Sequence, residues 1–413
     1  MTNSTSTPTL TGIIGDRVGA TAMNRRTFMA AGAAVGVASA VQVRLGTRPA
    51  GAATSPTGRM VVVYLRGGQD HLSVTVPFTE SAYYDQRPTI AIPDSAVLDL
   101  DGTFGFHPVM TGLHSLYQAG QVGVVVAAGN PAGNRSHFVA QDLSELGADE
   151  YPDDGQGWVA RHLGGAVSGE SFRAVSMGDL VASSLRGYPA LAVSSLDTFG
   201  LGGRSGLTAG REDLFRMLYY GDEPIERLGH QALDAAGAAS TLTGSTEVDP
   251  LRRQFADLAV LLEADLGIEV ATVDIGGWDT HGPMGTASAG DMRNLLGVLD
   301  VSLSDFIADL DQRGQDDVTV VVMTEFGRRV EENGSGGTDH GWGSAMLVLG
   351  SGVVGGVHGT WPGIDPATVA PRFDVPVTTD FRDVLGEVAS SVLGTDPASL
   401  FPDHTAQPVG VMV

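Results

Sequence analysis

Acidic and histidine side chains recur directly beside apolar segments of this 413-residue chain. Asp70 and His71 follow the run RMVVVYL, and Ser136 and His137 come after a second run at 122–127. Further residues of these types stand beside later apolar runs: Asp279, His281, Glu325, Asp339 and His340. Carboxylate oxygens and imidazole nitrogens brought together are the ligands that Zn²⁺, Mg²⁺, Mn²⁺ or Ca²⁺ requires. The pattern therefore predicts a site for one or two divalent cations.

Each of these residues also has a purely structural interpretation. Ser136 is a suitable helix N-cap, because its side-chain oxygen can accept from a backbone N–H two or three residues on. Asp70 could satisfy the amides of the glycine loop, and Glu325 could pair with Arg328 or Arg329. Isolated histidines are predicted to be surface residues or hydrogen-bonded core residues: His114, His162 and His230. The collective placement of the residues is the stronger signal for a site.

The elements that must position these side chains follow from the apolar runs. Buried strands are predicted at 59–65, 122–127, 174–177, 190–193, 269–275, 318–323 and 345–349. Helical spacing of three or four residues marks a long helix through Leu295, Leu299, Leu303, Phe306 and Leu310. Strands that alternate with helices predict an α/β fold with three layers, α/β/α, around a doubly wound, mainly parallel sheet. Ligands bind beyond the carboxyl ends of such strands, where the polar residues collect.

The N-terminal segment has the order of a twin-arginine export signal. Arg25 and Arg26 precede a weakly hydrophobic run at 30–43, and small residues at 38–40 and 50–52 would suit a signal peptidase. That run is shorter than the about 20 residues that a membrane-spanning helix needs. We therefore expect the twin-arginine translocase as a partner, a periplasmic or extracellular location, and no stable membrane span after processing; the alternative is an uncleaved membrane anchor.

The predicted organisation is a signal peptide and linker at 1–53 followed by one large domain at 54–413. Residues 150–250 are richer in Gly and Ser and are predicted to form an insertion or cap. The chain has 48 acidic and 24 basic residues, and a net charge of −24 disfavours nucleic-acid binding. Cysteine is absent, which excludes disulfides and thiolate metal sites.

Four motifs, together with the leader, closely resemble the family catalogued as domain of unknown function 1501. They are YLRGGQDHLS, NRSHFVAQDLSELG, GGWDTHG and TEFGRRVEENGSGGTDHGWG. The resemblance extends from Arg25 to about Gly363, and its last motif is highly specific. The family is similar to the alkaline phosphatase and sulfatase superfamily, so the resemblance implies an alkaline-phosphatase-like fold.

That superfamily uses two metal ions and a nucleophile at a helix N-terminus. By resemblance, Asp70 matches the aspartate after the first strand, and Ser136 matches the serine or threonine nucleophile. Asp279 and His281 resemble the aspartate and histidine of the first metal site, although one residue separates them here where three are usual. His340 resembles the histidine that completes this site.

The chain departs from the superfamily at Glu325-Phe326, where Asp-His is typical. Phenylalanine cannot ligate a metal. The second site then retains at most Asp70, Glu325 and Ser136, unless other residues compensate: His71, His137 or Asp339. The resemblance therefore implies either one metal ion or an altered pair.

The resulting prediction is a metal-dependent hydrolase of small phosphate or sulfate esters. Ser136 would be the nucleophile, while Arg135 and His137 would stabilise charge on the non-bridging oxygens or protonate the leaving group. Arg66 and Arg328 are second-line anion binders. The alternative, favoured by Phe326, is a non-catalytic exported protein that serves in binding or envelope assembly and retains a degenerate metal site.

Overall fold

The computed structural model of the protein describes residues 58–164, 173–199, 208–221, 223–367, 369 and 374–413. The predicted twin-arginine signal and linker at 1–53 lie outside these ranges. Within them, every helix is too short or too polar to cross a membrane.

The strands of the described residues are mostly short and apolar. In chain order they are β1 (Arg59–Leu65), β2 (Thr75–Val76), β3 (Leu98–Asp99), β4 (Gly105–Phe106), β5 (Val122–Gly129), β6 (Ala174–Met177), β7 (Leu191–Val193), β8 (Val270–Ile275), β9 (Val318–Thr324), β10 (Arg328–Glu332), β11 (Thr338–His340), β12 (Ser344–Gly350), β13 (Gly356–His358) and β14 (Thr379–Asp380).

Nine of these strands form the central sheet, in the order β13-β5-β12-β9-β1-β8-β6-β7, with β14 also paired to β5. β1 lies between β8 and β9 and is parallel to both. β12 runs antiparallel to its neighbours β5 and β9. The other pairings described in this sheet are parallel. The prediction of a mainly parallel sheet is confirmed.

Helices connect and cover these strands. They are α1 (His71–Val74), α2 (Ser81–Gln86), α3 (Thr111–Gln118), α4 (His137–Leu146), α5 (Trp158–Leu163), α6 (Thr208–Leu218), α7 (Pro224–Ala239), α8 (Pro250–Glu263), α9 (Asp291–Gln312), α10 (Phe381–Leu393) and α11 (Pro397–Leu400). Short 3₁₀ turns lie at Asp94–Ala96 and Ser183–Leu185.

The two faces of the sheet carry separate apolar cores, because successive side chains of a strand point to opposite faces. In β1, Val61 and Val63 belong to one core, which α8 and α9 cover. Met60 and Val62 belong to the other, which α5 and α10 cover. Helices on both faces confirm the predicted three-layer α/β/α architecture.

The region predicted as an insertion or cap, 150–250, contributes to the sheet as well as to its surroundings. β6 and β7 lie in this region and extend the sheet beyond β8. α6 and α7 follow them along the chain. The division of the chain into a domain with a cap stays a prediction.

Candidate metal centre

Four elements bring the candidate residues to one edge of the sheet. His137 is the first residue of α4, which follows β5, and Asp279 and His281 lie in the loop after β8. Glu325 directly follows β9, and His340 ends β11. Because β5, β8 and β9 are oriented alike, the segments after them meet beyond the same edge.

His137, Asp279, His281 and His340 converge there and are called the histidine cluster below. The Nε2 atom of His340 lies 3.0 Å from Nε2 of His137 and 2.9 Å from Nε2 of His281. Oδ1 of Asp279 lies 3.2 Å from His340 Nε2, 3.1 Å from His281 Nε2 and 3.4 Å from His137 Nε2. His340 and Asp279 therefore form the centre, and each of the other two imidazoles contacts both.

The Nδ1 atom of each imidazole faces a carboxylate or carbonyl oxygen, which accepts hydrogen bonds and has none to donate. The three contacts are His137 Nδ1 to Glu325 Oε1 at 2.8 Å, His281 Nδ1 to Asp339 Oδ1 at 3.2 Å, and His340 Nδ1 to the carbonyl oxygen of Arg135 at 2.9 Å. Carboxylates and carbonyls accept hydrogen bonds, so these partners place the proton of each neutral ring on Nδ1. All three Nε2 lone pairs are then directed into the histidine cluster.

This donor set fits a divalent cation. Neutral imidazole lone pairs at about 3 Å from one another and from a carboxylate oxygen repel unless a positive charge lies among them. Ligands bonded to a tetrahedral ion at about 2.0 to 2.1 Å are about 3.3 Å apart. The ligand atoms of His137, Asp279 and His340 are 3.0 to 3.4 Å apart, which is close to this value. The imidazole nitrogens of this set favour Zn²⁺ over Mg²⁺, Mn²⁺ or Ca²⁺, which prefer oxygen ligands. His137, Asp279 and His340 meet the geometric requirement for a metal-binding group.

Glu325 contacts the histidine cluster only through the outer nitrogen of His137. Its Oε1 atom accepts hydrogen bonds from Gln141 Nε2, His137 Nδ1 and the N–H of Gly67, and its Oε2 accepts from Thr324 Oγ1. Burial opposes ionisation of Glu325, but hydrogen bonds from Gln141 and His137 outweigh it and lower the pKa. The sequence predicts Glu325 as a metal ligand; in the structure its carboxylate contacts the outer nitrogen of His137 and lies outside the histidine cluster.

Asp339 has the same relation to His281, in a more open setting. Its Oδ1 atom accepts from Asn333 Nδ2 at 3.2 Å as well as from His281. The hydrogen bond from Asn333, opposed by burial and supported by His281, lowers its pKa. The predicted ligand Asp339 therefore contacts an imidazole of the histidine cluster through the nitrogen that faces away from the cluster centre.

Arg328 places a permanent positive charge against the carboxylate of the histidine cluster. Its Nη2 atom donates to Asp279 Oδ1 at 2.6 Å, and the guanidinium also donates to the carbonyls of Gly67, Gly68, Trp278 and Thr338. Burial opposes ionisation of Asp279, but the hydrogen bond and charge of Arg328 lower its pKa to about 2. The sequence indicates Arg328 only as a second-line anion binder; its place four residues after β9, close to Glu325, was the available signal for more.

Asp70 is paired elsewhere and does not join the histidine cluster. Arg87 donates to both carboxylate oxygens, at 2.6 and 2.7 Å, and Ser73 donates to Oδ2 at 2.5 Å. The Asp70 and Arg87 side chains are both fully buried. Although burial opposes ionisation of Asp70, Arg87 keeps its pKa below the usual value. The structure thus departs from the predicted metal-ligand role of Asp70, and no motif in the sequence pointed to Arg87.

Phe326 forms a wall of the histidine cluster. Its ring is buried and lies 4.9 Å, centroid to centroid, from the rings of both His137 and His340. Gly68, at φ +73°, leaves space for it, because a Cβ there would lie 2.5 Å from Phe326 Cε2. The residue that departs from the superfamily pattern therefore packs against two metal-type donors and restricts their orientation.

Ser136 and Arg135 flank His137 in different ways. Ser136 is exposed at the N-cap of α4, its side chain makes no capping hydrogen bond, and its own N–H donates to Asn134 Oδ1 at 2.8 Å. Arg135 forms an ion pair with Asp374 and donates to the carbonyl of Gly341. The hydroxyl of Ser136 is thus open to solvent, whereas the guanidinium of Arg135 is engaged in holding loops together.

Two further histidines, His71 and His358, lie outside the histidine cluster. Both ring nitrogens of His71 are buried without a hydrogen-bond partner among the described residues, and burial lowers its pKa to about 4. His358 contacts the carbonyl of Val354 through Nε2 at 2.7 Å.

Comparison with known sequences supports the resemblance drawn from the motifs. Residues 231–412 match the sequence model of a family described as a protein of unknown function, DUF1501. The match contains the GGWDTHG and TEFGRR to TDHGWG motifs and confirms the resemblance to this family over that part of the chain. No curated protein matches the chain.

Three solved structures illustrate the level of structural likeness. The C-terminal periplasmic domain of EcEptC from Escherichia coli has a TM-score of 0.37 at 10% identity, covering 89% of this chain and 92% of that one. The lipoteichoic acid synthase LtaP from Listeria monocytogenes has 0.35 at 10%, covering 87% and 75%. Phosphonoacetate hydrolase from Sinorhizobium meliloti has 0.30 at 13%, covering 70% and 60%. Likeness at this level carries no information on activity.

Proposed function

We propose that the protein is an exported, metal-dependent hydrolase of small phosphate or sulfate esters. One observation carries the proposal: three imidazole lone pairs and the Asp279 carboxylate converge at a solvent-accessible sheet edge. A divalent cation bound there would polarise an oxygen of the phosphoryl or sulfuryl group. Asp279 is the charged member of the donor set, and His137 and His340 hold their lone pairs toward it.

Ser136 is the proposed nucleophile. It directly precedes His137, its hydroxyl is exposed, and it lies at the N-terminus of α4, where the helix dipole favours negative charge. Attack of its oxygen on phosphorus or sulfur would form a serine ester and break the bond to the leaving oxygen, which would take up the proton lost by Ser136 and depart as the alcohol. Water would then hydrolyse the serine ester, releasing phosphate or sulfate and restoring Ser136.

Replacing Ser136 with alanine tests this assignment. We expect Ser136→Ala to lose about 10³-fold or more in kcat for aryl phosphate or sulfate esters. The free energy of unfolding should fall by less than about 0.5 kcal/mol, because the side chain makes no capping hydrogen bond. The exposed Ser95→Ala variant is the matched control. Unchanged turnover in Ser136→Ala would remove Ser136 as nucleophile.

The proposal includes export through the twin-arginine translocase, which rests on the sequence of the leader. Changing Arg25 and Arg26 together to lysine should retain the precursor inside the cell, since a receptor reads the paired arginines. Cell fractionation would detect the change. Normal export of the double variant would contradict the localisation.

A second candidate function is binding or envelope assembly without catalysis. Two buried contacts favour it: the Asp70–Arg87 ion pair and the packing of Phe326 on His137 and His340. Both occupy positions that the superfamily resemblance assigns to a second metal ion. Absence of ester turnover in protein loaded with Zn²⁺ or Mn²⁺ would make this second candidate the better one.

A further inference from the structure

Two imidazole–carboxylate pairs border the histidine cluster, and they differ in burial. In the His137–Glu325 pair, the side chains are 23% and 0% exposed and the contact is 2.8 Å. In the His281–Asp339 pair, they are 44% and 48% exposed and the contact is 3.2 Å. The first pair is held within the protein, whereas the second faces solvent.

The surroundings of the two pairs extend this difference. His137 is on a helix, with Phe326 against its ring and three further donors fixing Glu325. His281 lies in the loop between β8 and α9, and its carboxylate partner is held by Asn333. The imidazole of His281 can therefore leave the histidine cluster with less disturbance of packing than that of His137.

His340 resembles His137 rather than His281. Its side chain is 24% exposed, its Nδ1 donates to the backbone of Arg135, and Phe326 packs on its ring. Asp279 is fixed by Arg328. His137, His340 and Asp279 are thus each fixed by a buried neighbour, although Asp279 is itself 47% exposed, and His281 is the most exposed imidazole of the histidine cluster.

We infer that His137, Asp279 and His340 hold the cation at all times and that His281 is an exchangeable donor, displaced when an oxygen of a tetrahedral oxyanion binds. Metal centres that act on substrates keep three protein ligands and one position for water or substrate. His281 Nε2 lies beside the group formed by these three residues, 2.9 Å from His340 Nε2 and 3.1 Å from Asp279 Oδ1, where it can supply a fourth donor. This inference rests on the cation of the proposed function and assigns the ligand roles differently from the superfamily resemblance.

Metal retention in matched variants tests this assignment. The full chain with His281→Gln should retain about one Co²⁺ or Zn²⁺ per molecule, with affinity within about tenfold of the wild type. His137→Gln should weaken binding by more than about 100-fold, since loss of a ligand's outer partner alone weakens binding about 10- to 100-fold. His340→Gln makes the same comparison should His137→Gln fail to fold. His114→Gln, which changes a histidine outside the cluster, is the control.

The visible absorption spectrum of the Co²⁺-loaded protein gives the second readout. Inorganic phosphate or sulfate should change the spectrum of the wild type, as an oxygen replaces the His281 nitrogen. In His281→Gln the spectrum without the anion should already differ from that of the wild type, and the anion should bind more tightly. Loss of metal in His281→Gln as complete as in His137→Gln would overturn the inference, as would a wild type that binds no cation. A metal-loaded wild type that hydrolyses no ester would instead count against the proposed function, while metal retention would still decide the ligand roles.

Discussion

Histidine and carboxylate side chains meet at both ends of β8, with different chemical results. At its amino end, Glu269 accepts from His162 Nε2 at 3.0 Å and from Arg173, and Thr395 Oγ1 lies 2.6 Å from His162 Nδ1. We call this group the amino-end network. Every one of its acceptors has a donor within the chain. At the carboxyl end, the histidine cluster directs three Nε2 lone pairs at one another, and none of their contacts there supplies a proton.

The difference teaches how a structural histidine can be distinguished from a ligand-binding one. Burial differs between the two groups, since the side chain of His162 is 2% exposed and that of His137 is 23% exposed, but it does not explain their chemistry. The balance of donors and acceptors does separate them. In the amino-end network Arg173 neutralises Glu269 and every acceptor has a donor, whereas in the histidine cluster Arg328 contacts only Asp279 and the three Nε2 lone pairs have no proton donor among their contacts.

Removing the carboxylate of the amino-end network should have the largest effect. Glu269→Gln leaves Arg173 buried without its counter-charge, so we expect a loss of about 3–5 kcal/mol in the free energy of unfolding. Metal affinity of the folded fraction should stay unchanged. Denaturant unfolding and metal titration measure the two quantities. Asp305→Asn is the matched control at an exposed ion pair with Arg252, and its loss should be below about 1 kcal/mol.

The same carboxylate predicts how stability depends on pH. Burial opposes ionisation of Glu269, but hydrogen bonds from His162 and Arg173 lower its pKa from 4.5 to about 2. A lowered pKa in the folded state stabilises the protein fully above pH 4.5, and this contribution is lost as the pH falls toward 2. It amounts to about 3 kcal/mol. Between pH 4.5 and 2 the stability of Glu269→Gln should therefore decline less steeply than that of the wild type. If stability falls equally steeply in Glu269→Gln and in the wild type over this pH range, groups other than Glu269 cause the loss of stability in acid.

The sequence predicted the sheet edge well and the individual contacts less well. Apolar runs located β1, β5, β8, β9 and β12, because a buried strand needs continuous apolar residues. The rule that ligands lie beyond the carboxyl ends of strands then predicted that the polar residues after these strands lie at one edge, as His137, Asp279 and Glu325 do. Nothing in the runs indicated that β12 is antiparallel.

Ligand roles depend on distances of about 3 Å between side chains far apart in the chain, which spacing does not determine. The sequence grouped Asp70 with Asp279, yet Arg87 pairs with the first and the histidine cluster includes the second. It also ranked Glu325 with the metal ligands and His137 with the catalytic groups. In the structure His137 directs one nitrogen into the histidine cluster, whereas the fully buried side chain of Glu325 contacts the outer nitrogen of His137.

Glu325→Gln tests whether the buried outer carboxylate controls the histidine cluster. The amide removes a charge that orients His137, so affinity for Zn²⁺ should fall by about 10- to 100-fold. Stability of the metal-free protein should change less than in Glu269→Gln, because no arginine is left without its counter-charge. Competition with a chelator of known affinity measures the first quantity. Equal metal affinity in Glu325→Gln and the wild type would show that the charge of Glu325 is not needed to orient His137.

Asp339→Asn should have the smallest effect. It tests whether the His281–Asp339 pair matters less for metal binding than the His137–Glu325 pair. Asp339 is about half exposed, and its contact with His281 is longer than that of Glu325 with His137. Solvent screens an exposed pair of this kind, so its contribution is below about 1 kcal/mol, which corresponds to less than about fivefold in Zn²⁺ affinity. The same chelator competition used for Glu325→Gln measures it. A loss in Asp339→Asn as large as in Glu325→Gln would mean that His281 is held as firmly as His137, and the two sides of the cluster would then be equivalent.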